Sequence, residues 1–401
     1  MDRNLELAIL DEFFDHHGRR TTSMAAQPHR NPASVYIDPD RLKAETDTML
    51  LGRPILVALS PDLPAPGDYF AVEIAGTPLL LVRGEDAIVR CFLNACRHRG
   101  GRVADGRGRA GRAFACPYHS WTYDLDGRLL GQPQARGCFA GPGTAHSDLL
   151  PLPVAERFGM IFARLRGDEP IDVEESLTGL APELASHQFD SYWFSAERSG
   201  EWSTNWKLAV DTFLEGYHIF ALHRSSLSPV FLSTPCLTET TGDHGRMVVF
   251  RRSVTGLTEL DRAEWRLRPH STIVYRIFPN VVLNLPSSGH VELWRVEPVD
   301  ENPGRCRVTV RFFVPAEPES AKGRSFWQKN IDLTTSVVFE EDFRQQEDIY
   351  RTLRTGLLPD VVYGRNEPSL IAQHEAYTRA LSAGDPHPAA HVDRPRVMTS
   401  N

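Results

Sequence analysis

The 401-residue sequence predicts an α+β protein in which a small β-rich domain precedes a larger domain of strands and helices. Two observations carry this prediction. Short apolar runs separated by tight-turn residues begin near Pro66, and a second series of strands followed by a long helical stretch comes after residue 165. The intervals between the later strands are too short for helical crossovers, so their sheet is predicted to be antiparallel.

The expected organisation has four segments. They are an N-terminal helix and connector at 1–40, the β-rich domain at 41–165, the α+β domain at 166–384 and a mobile tail at 385–401. The tail prediction rests on the sequence "DPHPAAHVDRPRVMTSN", which has proline and polar residues and no apolar periodicity.

Turn residues place the strands of the first domain. "DYFAVEIAGTPLLLV" predicts a hairpin about Ala75-Gly76, and "AIVRCFLN" predicts a further strand. "SWTYDLDGRLL" predicts a second hairpin about Asp126-Gly127, because Asp-Gly suits the positive φ of a tight turn.

Apolar patterning predicts the elements of the second domain. "STIVYRIFPNVVLNL", "HVELWRVEPV" and "CRVTVRFFVP" are typical of strands, whereas "STNWKLAVDTFLEGYHIF" has a helical period. A long helix is expected over "RSFWQKNIDLTTSVVFEEDFRQQEDIYRTLRTG".

Composition excludes several classes of protein. Lys and Arg number 44 against 52 Asp and Glu, and the net charge of −8 argues against a nucleic-acid binder. No stretch approaches the ~20 apolar residues of a membrane span, and the acidic N-terminus does not resemble a secretory signal. Six scattered cysteines do not form a disulfide framework, so we expect a cytoplasmic protein.

Two cysteine–histidine pairs form the first chemical motif. Cys96 and His98 form the first pair, and Cys116 and His119 form the second. Seventeen residues separate His98 from Cys116. A zinc site is the alternative, but zinc fingers usually group cysteine with cysteine and histidine with histidine. Mixed pairs suit a two-iron cluster in which each loop gives one sulfur to one iron and one nitrogen to the other.

The loop between the two pairs carries glycines and arginines. Gly106, Gly108 and Gly111 match a dinucleotide fingerprint, but the loop leaves no room for the required helix, so we interpret it as a flexible connection. Six arginines lie in the same window; we expect them to form either a solvated rim or a docking surface for an acidic electron carrier. The docking candidates are Arg97, Arg107 and Arg109.

A second motif lies in "NWKLAVDTFLEGYHIFALH". On a continuous helix Asp211, Glu215 and His218 would share one face, while His223 would point away unless the helix ends or bulges. Two histidines and a distant carboxylate form the facial triad that holds non-haem Fe(II). The pattern alone does not choose among the acids of the downstream helix, which are Glu340, Glu341, Asp342, Glu347 and Asp348.

These motifs resemble a known family. "CRHRGG" and "CPYHSWTYDLDG" resemble the Rieske [2Fe–2S] domain, and the D-x3-(D/E)-x2-H-x4-H run with the later Glu341-Asp342 pair resembles Rieske non-haem iron oxygenases. The resemblance extends from about Tyr36 to about Gly356. "LEGYH" is similar to the choline, betaine and carnitine branch, although Thr212 stands where many relatives have Asn.

The resemblance implies a fold and a set of site residues. The fold would be a Rieske domain of antiparallel sheets plus a catalytic domain with a curved antiparallel sheet over helices (helix-grip, Bet v1-like), in a homotrimer. It implies a cluster on Cys96, His98, Cys116 and His119, a mononuclear iron on His218, His223 and Asp342, and catalytic roles for Glu215 and Asp211. Glu215 would bridge an iron-ligating histidine to a cluster histidine of another subunit.

The expected function is that of a terminal oxygenase. Electrons from NAD(P)H would arrive through a separate reductase, with or without a ferredoxin, and O2 would hydroxylate or demethylate a small organic substrate. An aromatic substrate, and hence aromatic hydrocarbon catabolism, is expected first, with a quaternary-ammonium monooxygenase as the alternative. A Rieske electron-transfer protein and a zinc module are the non-enzyme alternatives. Substrate contacts could come from Phe213, Phe231, Phe250, Tyr275, Phe278 and Trp294.

Overall fold

Three antiparallel sheets occupy the first 165 residues of the chain. The computed structural model describes residues 1–139 and 147–383. The strands up to residue 163 are β1 (His29–Pro32), β2 (Ile55–Leu59), β3 (Asp68–Ile74), β4 (Thr77–Arg83), β5 (Val89–Leu93), β6 (Arg107–Arg109), β7 (Ala113–Ala115), β8 (Thr122–Asp124), β9 (Leu129–Gly131), β10 (Pro151–Leu152), β11 (Val154–Arg157) and β12 (Met160–Ala163). The sheets have the orders β10-β5-β4-β3-β6, β11-β12-β2 and β7-β8-β9.

Both predicted hairpins are confirmed. β3 and β4 pair in antiparallel register across Ala75 and Gly76, which adopt φ of 46° and 75° as a tight hairpin turn requires. β8 and β9 pair across the Asp126-Gly127 turn, where Gly127 has φ of 81°. The carboxylate of Asp124 accepts the N–H groups of Asp126 and Arg128, which fixes this second turn.

β2 lies between two hydrophobic cores, so all five of its residues are buried. Leu56 and Leu59 pack into a core shared with the second domain, while Ile55, Val57 and Ala58 pack against the five-stranded sheet. A strand covered on both faces reads as a continuous apolar run.

A seven-stranded antiparallel sheet forms the second domain. Its strands and the final edge strand are β13 (Trp193–Trp202), β14 (Phe231–Thr241), β15 (His244–Arg251), β16 (Ser271–Ile277), β17 (Val281–Leu285), β18 (Val291–Val299), β19 (Asn302–Val314) and β20 (Asp360–Tyr363). The sheet order β13-β19-β18-β17-β16-β15-β14 is a meander from β14 to β19, and every pairing is antiparallel. The antiparallel prediction is therefore confirmed.

Several helices pack against this sheet. The helices of the described residues are α1 (Arg3–Arg19), α2 (Ser34–Ile37), α3 (Pro39–Glu45), α4 (Ala135–Cys138), α5 (Val173–Leu177), α6 (Ala181–Ala185), α7 (Trp206–Asp211), α8 (Ala321–Ser336), α9 (Phe343–Leu353) and α10 (Pro368–Ser382). Those that contact the sheet include α1, α7 and α10. A π-helical segment at Val337–Asp342 joins α8 to α9 and makes the predicted long helix continuous. Within the described ranges, no helix is both long and apolar enough to cross a membrane.

The N-terminal 40 residues pack against the second domain. Phe13 of α1 contacts Phe250 of β15 with ring centroids 4.4 Å apart, and β1 pairs with β20. The predicted domain boundaries at residues 40, 165 and 384 stay predictions. The mobile tail predicted at 385–401 lies outside the described residues.

A buried ion pair joins the two domains. Arg311 of β19, fully buried, donates to Asp62 at 2.8 Å and to the carbonyl of Val57 at 2.7 Å. Arg107 donates to the other oxygen of Asp62 at 3.1 Å. Burial lowers the pKa of Arg311 to about 10, so it remains charged at neutral pH. The β-rich domain is therefore fixed to the large sheet by charge-assisted hydrogen bonds.

Candidate metal centres

The two loops that carry the cysteine–histidine pairs close in the same way. The N–H of Gly100 donates to the carbonyl of Cys96 at 2.8 Å, and the N–H of Ser120 donates to the carbonyl of Cys116 at 2.9 Å. Gly100 and Ser120 both adopt positive φ, at 76° and 57°. Each cysteine N–H in turn bonds the carbonyl five residues later, at 2.7 and 2.8 Å. Two matched tight turns thus present the two pairs.

The four side chains meet between these loops. Cys96 and Cys116 are buried free thiols, 4% and 2% exposed. The rings of His98 and His119 lie with centroids 4.6 Å apart, and a Cβ on Gly101 would lie 3.7 Å from the Cys116 sulfur. The Nδ1 atom of His98 is buried without a hydrogen-bond partner among the described residues. A buried nitrogen without a partner fits a metal ligand, so this donor set fits a two-iron cluster.

Two aromatic residues support the cluster loops. The fully buried Tyr123 hydroxyl lies 3.3 Å from the Cys96 sulfur and accepts the N–H of Arg97 at 3.0 Å. Burial, together with the neighbouring thiol, raises the pKa of Tyr123, so its O–H remains available to a thiolate. Trp121 stacks on His98 with centroids 5.0 Å apart. These contacts orient the ligands and stabilise charge on sulfur.

The arginines of the first motif do not form one surface. The Arg107 guanidinium lies 3.5 Å over the ring of Phe194 and donates to Asp62, so this arginine joins the two domains. The prediction that Arg107 is a docking charge is therefore wrong. Arg97 is exposed, and Arg109 is exposed within an ion pair on its own domain.

The glycine-rich stretch is more ordered than predicted. Gly106 and Gly111 adopt φ of 60° and 64° on either side of β6, which pairs with β3. The interpretation as a flexible connection is wrong at β6, because sheet hydrogen bonds hold it. As expected, the stretch runs into strands rather than into the helix that a dinucleotide site requires.

The helix of the second motif ends earlier than the predicted pattern. α7 ends at Asp211, and Glu215 and His218 follow in turns and a short 3₁₀ helix at Tyr217–Phe220. The prediction that three ionisable groups share one helix face is therefore wrong. Because the helix has ended, the chain can turn and bring His218 and His223 together, with ring centroids 5.1 Å apart.

His218, His223 and Asp342 converge on one point. Their ligand atoms lie within 4.8 Å of one another. Nε2 of His223 lies 3.1 Å and Nε2 of His218 lies 3.4 Å from the same oxygen of Asp342. His223 and Asp342 are almost fully buried. Two imidazole nitrogens and one carboxylate on one side of an ion form the facial triad of non-haem iron.

Asp342 is positioned by an irregular helix turn. It is the last residue of the π-helical segment Val337–Asp342, and such segments often occur at functional sites. The hydroxyl of Thr212 donates to Asp342 Oδ1 at 3.1 Å. Thr212, noted in the sequence as a departure from relatives, thus contacts the carboxylate ligand directly.

A glutamate lies behind each histidine. The carboxylate of Glu215 accepts the Nδ1–H of His218. Glu341 accepts the Nδ1–H of His223 at 2.9 Å and the hydroxyl of Ser226 at 3.0 Å. These contacts leave both Nε2 atoms for a metal. The sequence suggested Glu341 as a possible iron ligand but did not predict that it orients His223. Its position next to Asp342 was the signal that could have predicted this contact.

The carboxylates also set the charge of the site. Burial lowers the pKa of His218 and His223, but the adjacent carboxylates outweigh it and hold both pKa values above the ordinary value. The strongest of these effects come from Glu215 on His218 and from Asp342 on His223. Three carboxylates thus surround the two imidazoles, an arrangement that favours a divalent cation.

Asp211, predicted to be catalytic, lies elsewhere. The Tyr36 hydroxyl donates to Asp211 at 2.7 Å, and Nε2 of His374 lies 3.0 Å from both of its oxygens. Tyr363 belongs to the same buried network through His374 and Tyr36. Asp211 lines neither the metal triad nor the adjacent cavity. The catalytic assignment is corrected to a structural one, which anchors α7 to the N-terminal segment and α10.

A cavity of about 240 Å³ opens beside the triad. Much of its wall is apolar, with Phe213, Phe231, Met247, Val249 and Val274 among the lining residues. Of the six aromatic residues predicted as substrate contacts, Phe213 and Phe231 line this cavity. The other four pack in the core instead; they are Phe250, Tyr275, Phe278 and Trp294.

Glu292 is a buried carboxylate of the cavity wall. It accepts hydrogen bonds from His290 at 2.9 Å, Thr334 at 3.0 Å, Trp294 at 3.0 Å and Asn284 at 2.8 Å. Burial raises its pKa, but these donors outweigh burial and hold the pKa below the ordinary value. Glu292 is therefore charged, and its oxygens are occupied by these four hydrogen bonds. It stabilises the cavity wall and is not an unpaired charge.

Family comparisons identify both domains. The description "Rieske [2Fe-2S] domain" matches residues 53–147, and "Ring hydroxylating alpha subunit (catalytic domain)" matches residues 189–383. The first range contains all four candidate cluster ligands, and the second contains the whole histidine–carboxylate triad. The chain carries both of these domains, in the order that its motifs predicted.

Individual relatives agree with this. The chain is 34% identical over 201 residues to the glycine betaine monooxygenase oxygenase subunit of Chromohalobacter salexigens, which covers 50% of this chain and 44% of that protein. It is 33% identical over 196 residues to the carnitine monooxygenase oxygenase subunit of Escherichia coli K12, covering 48% and 51%. The chain thus spans about half the length of the curated relatives it matches.

A solved structure shares the fold. The quaternary ammonium Rieske monooxygenase CntA superposes with a TM-score of 0.75 at 23% identity, over 88% of this chain and 94% of that chain. The superposition supports the predicted α+β architecture, with a β-rich domain beside a curved antiparallel sheet.

Proposed function

We propose that this chain is a Rieske-type oxygenase, as both of its matched domains indicate, and that it is the terminal oxygenase of a multicomponent system. Electrons from NAD(P)H would come through a separate reductase, with or without a ferredoxin. The observation that carries the proposal is the convergence of His218, His223 and Asp342 beside a cavity, in a chain that also holds a cluster donor set. A Rieske electron-transfer protein would need no such triad.

The side chains divide the work between two sites. Cys96, His98, Cys116 and His119 would hold the [2Fe–2S] cluster, and His218, His223 and Asp342 would hold the iron. When bound, the cluster supplies single electrons and the mononuclear iron supplies activation of dioxygen. Glu215 and Glu341 hold the two imidazoles in the tautomer that leaves Nε2 free.

Glu215 is proposed to link the two kinds of site across subunits of a homotrimer. It contacts His218 on its inner side, and its neighbour Tyr217 is 74% exposed. His119 is exposed, and its neighbour Tyr118 is 61% exposed. Exposed aromatic residues beside both histidines are consistent with two surfaces that meet in an assembly.

The proposed docking surface for an electron carrier consists of Arg97 and Arg109, which are both exposed. Complementary charge mainly accelerates encounter, so Arg97→Glu should slow reduction by the partner and weaken its dependence on salt. An unchanged rate and salt dependence would leave these arginines as a solvated rim.

The cavity limits the substrate to a small organic molecule. About 240 Å³ corresponds to the volume of about eight water molecules. Hydroxylation of a small substrate, first an aromatic one, suits the apolar wall. Oxidation or demethylation of a quaternary amine is the second candidate, which the betaine and carnitine relatives favour. Phe213 and Phe231 are the aromatic side chains at this wall among the described residues.

A single turnover of the chemically reduced protein with labelled dioxygen tests the proposal. The substrates would be methylated amines, methoxyarenes and simple aromatics, with formaldehyde and product mass measured together. Label in a product without formaldehyde means hydroxylation, and formaldehyde means oxidation at an N- or O-methyl group. Absence of both with every substrate class would contradict the oxygenase function.

A further inference from the structure

We propose that Arg251 binds an anionic group of the substrate, so that this site selects small carboxylates. The inference rests on the proposed function, since it concerns the cavity beside the triad. Arg251 is the last residue of β15 and lines that cavity. Among the residues that the structure describes, no carboxylate pairs with its guanidinium, which donates to the hydroxyl of Ser287 at 2.6 Å. Ser287 lines the cavity as well.

Among the described residues, half-buried Arg251 is held only by one hydroxyl, unlike the neighbouring arginines of the sheet. Arg246 on the same strand pairs with Glu183 and Glu239, and Arg276 on the next strand is held by backbone carbonyls and Gln373. The acids of the cavity wall are already engaged, by His218, by the metal triad or by the four donors to Glu292. A desolvated guanidinium favours an anion, and a carboxylate matches its planar donors.

Strand register places Arg251 away from Asn284, a polar residue of the same wall. Met247, Val249 and Arg251 alternate along β15 and all line the cavity. Met247 pairs with Val274, and Val274 pairs with Asn284. Arg251 comes four residues after Met247 on β15, so it lies about 13 Å along the strand direction from Asn284.

Between these two ends the wall is formed by Val249 and its pairing partner Thr272, and it lies against the metal-binding segment. A Cβ on Gly216, next to Glu215, would lie 3.1 Å from Val249. Phe231 pairs with Arg251 in the sheet and also lines the cavity. A substrate would thus place its charged group at Arg251 and its apolar body over Val249, beneath the triad. Asn284 Oδ1, buried without a partner among the described residues, could accept a donor at the far end.

The chemistry shared by two substrate sources is a carboxylate on a small apolar body. It could belong to an aromatic acid or to a betaine. Dissociation constants would be measured by calorimetry on the iron-loaded full chain. The probes are benzoate and benzamide, 4-methoxybenzoate and its amide, and trimethylaminoacetate and its amide. Each pair keeps the carbon skeleton and removes the negative charge, and the aromatic and betaine pairs separate the two sources.

At least one acid should bind wild type roughly 10- to 100-fold more tightly than its amide. Arg251→Gln should remove that preference, and Arg251→Lys should restore part of it. Arg252→Gln is the matched control, because Arg252 donates to the carbonyls of Pro229 and Ser228 outside the cavity. It should keep the preference for the acid.

Three results would overturn the inference. They are equal affinity for acid and amide, undiminished acid binding by Arg251→Gln, and no acid of the panel bound at concentrations up to about 10 mM. Binding needs no oxygen activation, so failure of the two proposals is distinguishable. If an acid binds through Arg251 but no substrate of the single-turnover panel gives labelled product or formaldehyde, the role of Arg251 stands and the oxygenase function fails.

Discussion

Glu215 and Glu341 hold equivalent positions behind the two histidines of the candidate iron site, but they face different surroundings. Glu341 also accepts the hydroxyl of Ser226, inside the catalytic domain. Glu215 lies beside the exposed Tyr217, where the proposed trimer would bring a cluster histidine. Glu341 therefore only orients a histidine, whereas Glu215 orients a histidine and is also proposed to carry electrons. Variants of the two residues form a matched comparison of these roles.

With iron saturating, we expect Glu215→Gln to keep both metals, although with roughly 10-fold weaker iron affinity, and to slow reoxidation of the reduced cluster by dioxygen at least about 10-fold. Glu341→Gln should weaken iron affinity by roughly 10-fold but leave the cluster reoxidation rate near wild type when iron is saturating. Rapid-mixing absorbance with parallel iron analysis measures both quantities. Normal turnover by Glu215→Gln would remove the bridge assignment.

Asp211 shows where single residues escape prediction. Its spacing before Glu215 and His218 suggested a shared helix face, yet its partners Tyr36 and His374 are distant in the chain. The two histidines of the motif and the family resemblance for Asp342 selected three residues that the structure brings together, and their role as iron ligands stays a prediction. The motif could not separate a buried structural acid from a catalytic one, because that difference depends on long-range packing.

At the scale of elements, strands and hairpins were predictable and helix ends were not. Turn residues such as Ala75-Gly76 and Asp126-Gly127 fix local conformation, so β3–β4 and β8–β9 follow from sequence. The early end of α7 and the π-helical turn at Asp342 have no comparable local signal. Both irregularities position candidate iron ligands, so the residues of the site could be named from the sequence but their geometry could not.

His244 connects β15 to two neighbouring elements and gives a prediction about acid. Its Nε2–H donates to the carbonyl of Ser176 at 2.7 Å, and its Nδ1 accepts the N–H of Phe278 at 3.1 Å. Burial, with Arg276 nearby, lowers its pKa to about 4, although Asp243 acts in the opposite direction. The neutral ring therefore satisfies both contacts, and a second proton would face a donor.

The unfolded state takes up this proton near pH 6.5 and the folded state near pH 4, so the unfolded state binds more protons in between. Stability should be retained above pH 6.5 and fall as the pH drops from 6.5 toward 4. Between pH 7 and pH 4.5, the free energy of unfolding of His244→Gln should fall by ~2–3 kcal/mol less than that of wild type, as measured by urea unfolding. Equal losses would contradict this assignment.

At the scale of the whole molecule, Arg311 and Asp62 form a buried ion pair between the two domains. Replacing Arg311 with Met would leave Asp62 buried with a single cation, Arg107. Breaking a buried pair from one side costs about 3–5 kcal/mol. We expect the urea midpoint to fall and the two domains to unfold separately, as monitored by cluster absorbance and tryptophan fluorescence.

Arg305→Met is the control for that variant, since Arg305 forms exposed ion pairs with Glu201 and Asp300. Its effect should stay below about 1 kcal/mol. If both variants lose the same stability, the buried pair does not join the domains.

The presence of two different iron sites in one chain is the central claim, and metal analysis tests it most directly. Anaerobically purified wild type should contain about three irons and two acid-labile sulfides per chain. Asp342→Ala should contain about two irons with unchanged sulfide and cluster absorbance, because Asp342 belongs to the triad alone. Zinc in place of iron and sulfide, or a third iron retained by Asp342→Ala, would contradict the account.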